Sequence, residues 1–263
     1  MAIGSQPGTA PSYDPSQPPP APATQPMTRK KGILAGIGAL GVAGIAILVK
    51  YALPIFFAAS MSGALTSVFG SAFEKLPADQ RDAMEKRFEA AIGKKIDGLS
   101  DAQAKAVIDE AFNDGFPRLA DEPLVDRLHI AVKMIGTADV GTCARMARSS
   151  ATGEQDQDAL LAAVGTLDQA SVARWYDINI QALEAAATGA PAARTVPGSE
   201  SDRVLQATVS LMSDAEYAQL EQLYGSSEVP DADACGGFRA LYTAMEKLSA
   251  DDFAVLALYD VSP

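Results

Sequence analysis

An uninterrupted apolar stretch at residues 33–49 is the strongest constraint on what this chain can fold into. It reads ILAGIGALGVAGIAILV and contains no charged or strongly polar side chain. As a helix rising about 1.5 Å per residue, it would span roughly 25 Å, close to the thickness of a bilayer's hydrocarbon core. The sequence therefore predicts a single N-terminal transmembrane helix, with residues 29–60 as the anchor and its flanks.

The charges beside this stretch predict its orientation. Arg29, Lys30 and Lys31 precede it, and Lys50 alone follows it. Basic residues next to a span are retained in the cytoplasm, so we expect a cytoplasmic N-terminus and an extracytoplasmic, periplasmic C-terminal domain. Two alternatives stay open: a cleaved signal peptide, and a helical hairpin that includes the rather apolar residues 51–69 and returns the domain to the cytoplasm.

The anchor is rich in small residues at helical spacing. Gly32 and Gly36 form a GxxxG pattern, and Ala35, Ala39 and Ala43 continue a row of small residues four apart. Such rows let helix backbones approach closely in lipid. They predict either self-association or packing against a partner's transmembrane helix, with incidental small-residue content as the alternative.

The N-terminal tail, residues 1–28, contains eight prolines and almost no apolar material. This composition is typical of a disordered segment with polyproline II character. Its PxxP patterns are compatible with adaptor docking, but such patterns are common in any proline-rich spacer.

The remainder of the chain is strongly acidic. Residues 1–73 carry one acid and four bases, whereas residues 74–263 carry 32 acids and 17 bases, a formal charge of −15. A surface of this sign repels phosphate backbones, so nucleic-acid binding is excluded for the C-terminal domain.

Hydrophobic periodicity predicts an all-α fold for this acidic region. Apolar residues recur at spacings of three and four, as in Val172, Trp175, Tyr176, Ile180 and Leu183, and no stretch alternates with the period of a strand. Ser100, Ser213 and Ser249 are placed as helix N-caps. We expect a bundle of about nine helices, divided into a helical domain at 61–190, a hinge loop at 191–200 and a C-terminal helical subdomain at 201–263.

Cys143 and Cys235 are the only cysteines. In an extracytoplasmic domain, two cysteines far apart in sequence predict one disulfide, which is structural. Two buried free thiols are the alternative if the domain is cytoplasmic.

No residue cluster specifies chemistry. His129 is the only histidine, and a nucleophilic pair with Cys143 has no supporting motif. Asp231-Ala-Asp-Ala-Cys-Gly236 resembles the start of a calcium loop, but Tyr242 stands where a bidentate glutamate is required, so we interpret it as an acidic helix N-terminus. The sequence therefore predicts no catalytic residue, metal site or cofactor.

These observations favour a non-enzymatic, membrane-anchored envelope protein. Its acidic helical domain would bind a protein partner or serve as an accessory subunit of a membrane complex. The alternative is a helical module that binds a small apolar ligand or lipid, in a pocket lined by aromatic side chains: Phe88, Phe112, Trp175 and Phe238.

Overall fold

The computed structural model describes residues 70–153, 156–226 and 228–262. Across these residues the chain forms helices and no strand, which confirms the all-α prediction, with ten helices of eight or more residues against about nine expected. None of the helices described is long and apolar enough to cross a bilayer. The proline-rich tail, the predicted membrane helix with Gly32, Gly36, Ala39 and Ala43, and residues 51–69 lie outside the described residues.

The helices follow one another through short connections. A 3-10 turn at Phe73–Lys75 precedes the first helix. That helix is extended by a π-helical turn at Glu89–Gly93 and by one further turn at Lys94–Ile96. A second 3-10 turn, at Phe116–Arg118, separates the second helix from the third. The helices are α1 (Ala78–Phe88), α2 (Asp101–Gly115), α3 (Asp121–Thr137), α4 (Val140–Thr152), α5 (Gln157–Val164), α6 (Gln169–Thr188), α7 (Gly198–Ser210), α8 (Asp214–Gly225), α9 (Asp231–Met245) and α10 (Ala250–Val261).

Side chains cap most helix starts, as the sequence predicts. Ser100 and Ser213 form reciprocal capping boxes with the glutamine or glutamate three residues later. Ser249 accepts a hydrogen bond from the amide of Asp252 at the start of α10. Asp156 and Asp168 cap α5 and α6 through backbone amides. Each cap satisfies an amide that the helix itself leaves without a partner.

Two central helices organise the core. α6 packs against α1, α2 and α3, whereas α9 packs against α3, α4, α7 and α8. The two helices bury large aromatic side chains, including Trp175 and Tyr176 on α6 and Phe238 and Tyr242 on α9. Because α3 touches both central helices, the buried apolar side chains form one continuous cluster.

Glycine permits two of the closest helix contacts. A Cβ at Gly115, the last residue of α2, would overlap the carbonyl oxygen of Ala182 in α6. A Cβ at Gly237 in α9 would lie 2.8 Å from the backbone nitrogen of Leu220 in α8. Any larger residue at either position would force the two backbones apart.

The loop between α6 and α7 covers residues 191–197 of the hinge predicted at 191–200, whose last three residues belong to α7. Arginines hold this loop in place. Arg118 Nη1 donates hydrogen bonds to the carbonyl oxygens of Gly189 and Pro191 at 2.7 and 2.9 Å. The amide of Arg194 donates to the carbonyl of Pro117 at 2.9 Å. The helices after the loop also pack on helices before it, α9 on α3 and α4, and α10 on α3. The division into two units stays a prediction.

Candidate functional site

A disulfide joins the middle of the fold to its C-terminal part. Cys143, near the start of α4, and Cys235, in the first half of α9, are bonded, with Cα atoms 5.2 Å apart. Both side chains are buried. The pairing that the sequence predicts is therefore present, and it fixes α4 and α9 against each other.

The start of α9 is acidic, as the sequence indicates. Pro230 precedes the helix, and Asp231 and Asp233 occupy its first turn. Negative charge is favourable at this end of a helix dipole. Asp231 also pairs with Arg148 of α4 at 2.6 Å, a second link between the helices that the disulfide joins.

An open groove of about 720 Å³ lies beside this junction. It is formed by the C-terminal half of α4, the N-terminal end of α5 and the C-terminal end of α8, and it is lined by polar and apolar groups: Arg145, Arg148, Ser149, Ala151, Thr152, Asp156, Gln157, Asp158, Leu223, Tyr224, Gly225 and Ser226. Its size is within the range of small-ligand sites.

The arginines of the groove are engaged by neighbouring acceptors. Arg145 binds the carboxylate of Asp156 through two hydrogen bonds of 2.6 and 2.7 Å. Arg148 Nη2 donates to the Val229 carbonyl oxygen and to Asp231, both at 2.6 Å. The paired carboxylates offset both positive charges, so the groove offers no strong preference for an anion.

Among the described residues that line the groove, Tyr224 is the one with an aromatic side chain. Its hydroxyl oxygen is buried and has no hydrogen-bond partner among the described residues. Burial raises the pKa of this hydroxyl above its ordinary value, because the phenolate would be poorly solvated. The hydroxyl therefore stays protonated at neutral pH, and because its oxygen is buried, the rest of the side chain and not the hydroxyl borders the groove.

The most unusual polar contact lies deeper, between α3 and α10. Arg127 and Asp260 form an ion pair in which both side chains are buried. The guanidinium carbon of Arg127 lies 4.6 Å from the ring centre of Phe116 and 5.6 Å from that of Trp175. Aromatic faces attract a cation at such distances, so the guanidinium has favourable neighbours besides the carboxylate.

The carboxylate of this pair is less well satisfied. Asp260 Oδ1 has no hydrogen-bond partner among the described residues. Burial raises the pKa of Asp260, and the charge and hydrogen bond of Arg127 only partly oppose that effect. Burial also raises the pKa of the nearby Tyr242 hydroxyl well above its ordinary value, with a further contribution from the negative charge of Asp260.

The other residues that the sequence singles out lie apart. His129 is exposed on α3, with its ring stacked on Phe253 of α10 at 4.3 Å. Cys143 has no thiol to act as a nucleophile, because it is part of the disulfide. The four aromatic residues proposed to line an apolar pocket belong to the packed core: Phe88, Phe112, Trp175 and Phe238.

Potential metal ligands are likewise dispersed. Within the described parts of the chain, no group of three or more histidine, cysteine, aspartate or glutamate side chains is arranged to hold a metal ion. Sequence reasoning missed the Arg127–Asp260 pair. Each member of the pair stands out in the sequence as a charged residue at a position where the helix is expected to be buried. Arg127 comes three residues after Leu124 on α3, and Asp260 comes four residues after Leu256 on α10.

Comparison with known proteins adds no family assignment. No protein-family model matches the chain, and no curated protein or solved structure is significantly similar to it.

Proposed function

We propose that this protein is a non-enzymatic, membrane-anchored envelope protein. Its N-terminus lies in the cytoplasm, a single helix at 33–49 crosses the membrane, and the acidic helical domain stands outside the cytoplasm. There the domain binds a protein partner or serves as an accessory subunit of a membrane complex.

The observation that carries the proposal is the Cys143–Cys235 disulfide. Disulfides persist in oxidising compartments and are rare in the cytosol, where thiols are kept reduced. The bond supports the same side of the membrane as the basic residues at 29–31, which are retained in the cytoplasm. Two unrelated features, a redox-sensitive bond and a charge bias, thus favour one topology.

The shape and charge of the domain favour binding over chemistry. The groove between α4, α5 and α8 is open, contains internally paired charges and presents the Tyr224 side chain. A surface of this kind suits a segment of a protein partner that forms hydrogen bonds without bringing a large charge. The predicted row of small residues in the anchor would support the assembly from within the membrane.

The alternative, a domain that binds a small apolar ligand, has less support. It requires an interior cavity bordered by aromatic side chains. Phe112 is 2% exposed and Trp175 is 1% exposed, and both are packed within the continuous core. The described pocket is instead open and lined by polar and apolar groups in similar measure.

The first test is the accessibility of the two cysteines in intact cells. A membrane-impermeant maleimide reagent is applied to intact cells with and without prior reduction. A second sample is lysed and denatured before labelling, so that buried thiols are exposed. We expect no labelling of Cys143 or Cys235 in lysed, denatured protein unless it has been reduced. Thiols that react without reduction would contradict the extracytoplasmic placement.

Two single-cysteine reporters make the topology test independent of burial. In a Cys143→Ala/Cys235→Ala background, Ala192→Cys places a thiol in the exposed loop after α6, and Ser5→Cys places one in the N-terminal tail. The proposed topology predicts that the reagent labels Ala192→Cys in intact cells and Ser5→Cys only after lysis. The reverse pattern, or labelling of both only after lysis, would overturn it.

Partner binding is tested by native-state size. Full-length protein is extracted in mild detergent and resolved by native electrophoresis, beside an Arg145→Gln/Asp158→Asn variant, in which both changed residues are exposed in the groove. The proposal predicts a complex larger than the protein alone that the groove variant weakens. Migration of the wild type as a single chain would contradict it.

A further inference from the structure

We propose that α10 is a strap that releases as a unit while the rest of the domain stays folded. The strap is defined as Ala250–Val261. This inference goes beyond the proposed function and does not depend on it, because it rests on how the described helices pack.

The packing of the strap is limited. α10 contacts mainly α3 and α7, with a smaller contact to the second 3-10 turn. Its buried side chains are Phe253, Leu256, Ala257 and Asp260, so one of the four is a carboxylate. By comparison, α6 buries nine residues and α9 buries eight. α10 is held by three buried apolar side chains and half-buried neighbours, by the stack of Phe253 on His129, and by an ion pair between Asp252 and Arg203 of α7 at 2.8 Å. That ion pair is partly exposed, and pairs of this kind contribute little.

The buried ion pair adds little net attachment. Removing two charges from water costs about as much as their mutual attraction returns, so a buried pair is often no stronger than an apolar contact of the same volume. Here one oxygen of Asp260 has no partner among the described residues, which makes the net stabilisation by the pair smaller still. When α10 leaves, Asp260 and Arg127 both regain water. The pair therefore determines the position at which α10 docks more than it determines the strength with which α10 is held.

The covalent topology leaves α10 outside the cross-linked part of the domain. The disulfide closes the chain between Cys143 and Cys235, which retains α4 through the first half of α9. α10 follows that loop and is joined to α9 only by residues 246–249. It can leave α3 and α7 without breaking a covalent bond or moving a central helix. Segments of this kind supply the local openings that folded proteins undergo.

Release would uncover a specific site. The side chains that α10 covers include Arg127, whose guanidinium also lies against the rings of Phe116 and Trp175. An exposed cation beside two aromatic rings suits an amphipathic helix that carries a carboxylate on its apolar face, as α10 itself does. The strap would then act as an internal competitor for such a helix.

Hydrogen exchange of the full-length protein in detergent micelles tests the release directly. Peptides that report on α10, α6 and α9 are compared by mass spectrometry across a series of low urea concentrations. We expect the amides of α10 to exchange as a block, at least tenfold faster than the most protected amides of α6 and α9. Exchange of all three helices at one common rate would overturn the proposal.

Two variants of the ion pair test the role assigned to it. Asp260→Asn, which leaves Arg127 buried without its carboxylate, is expected to speed exchange of α10 by tenfold or more. Arg127→Met combined with Asp260→Leu is expected to leave α10 exchange at the wild-type rate or slow it, because apolar groups replace both charges. Faster exchange of α10 in the double variant than in Asp260→Asn would contradict the role assigned to the pair.

A matched variant in α6 separates local release from global unfolding. Leu183→Ala removes a buried side chain from a central helix and is expected to speed exchange of α6 and α9. If α10 releases by itself, its own exchange stays at the wild-type rate in this variant. An equal acceleration of α10 would show that it opens only with the whole domain, and the proposal would be wrong.

Discussion

The carboxylate of Asp260, in the last turn of α10, lies against the guanidinium of Arg127 near the middle of α3, 133 residues earlier in the chain. Their side chains are only 2% and 3% exposed. A charge placed so deeply is tolerated because its counter-charge and two aromatic faces accompany it. The docked C-terminal helix should therefore tolerate the loss of both charges together better than the loss of one of them.

Removal of one member of this pair should be more damaging than removal of both. Asp260→Ala leaves a buried cation and is expected to lower the free energy of unfolding by about 3–5 kcal/mol. Arg127→Met with Asp260→Leu should lie within about 1–2 kcal/mol of the wild type, on either side. Urea unfolding of both variants and of each single change measures the coupling. Equal losses in the single and double variants would contradict this account.

Loss of the disulfide should destabilise the domain without altering its fold. Cross-linking a loop of this length restricts the unfolded chain by about 4–5 kcal/mol in the chain-entropy model. Cys143→Ala with Cys235→Ala is therefore expected to lower the free energy of unfolding by up to that amount, while far-ultraviolet circular dichroism stays unchanged. The wild type under reducing conditions serves as the control and should approach the variant.

Glycines at helix crossings should be intolerant of a methyl group. Gly115→Ala and Gly237→Ala each place a Cβ against the backbone of a neighbouring helix. Each should lower the free energy of unfolding by about 1–3 kcal/mol or more, as overpacking typically does. Gly136→Ala in α3 is the matched control, because no atom lies within 4 Å of the added Cβ. That change should stabilise the helix by about 0.5–1 kcal/mol. Thermal unfolding of the three variants gives the comparison.

Acid should weaken the domain through aspartates that cap helices. The hydrogen bond from Arg145 lowers the pKa of Asp156, and the one from Lys133 lowers the pKa of Asp168. An acid whose folded-state pKa is depressed stabilises the fold above its unfolded pKa of about 3.9, and that contribution is lost as the pH falls through the folded value. Stability should therefore decline below about pH 4.

Asparagine at either cap checks the acid prediction. Asp156→Asn and Asp168→Asn keep a capping oxygen but lose the carboxylate charge. Each variant should be less stable than the wild type at pH 7, and the difference should narrow as the pH is lowered towards 2. A difference that stays constant with pH would mean that the charge of the cap contributes nothing. Urea midpoints measured at several pH values give the result.

Local patterns in the sequence identify most of the helices. The apolar stripe of α6 is buried as its spacing predicts, and the Ser100 and Ser213 capping boxes form as expected. These features depend on residues three or four apart, so periodicity and capping rules are sufficient to find them. The π-helical turn at Glu89–Gly93 is an exception, because an apolar residue every fourth position is also compatible with a regular helix.

Features that join distant parts of the chain are much harder to anticipate. Arg127 stands out on the buried face of α3, but nothing near it in sequence identifies Asp260 as its partner. The segment at 191–200 has the proline and glycine content of a flexible connection, yet Arg118 holds its start through hydrogen bonds to residues more than 70 positions away. Composition describes what a loop would do alone, and here tertiary contacts determine its conformation.

The position of the disulfide relative to the exposed α6–α7 loop has a consequence for proteolysis. Cys143 precedes this loop and Cys235 follows it. A protease that cuts after Arg194 would therefore nick the chain and leave both fragments covalently joined through α4 and α9. The core would keep its contacts, and the damage would become visible only on a reducing gel.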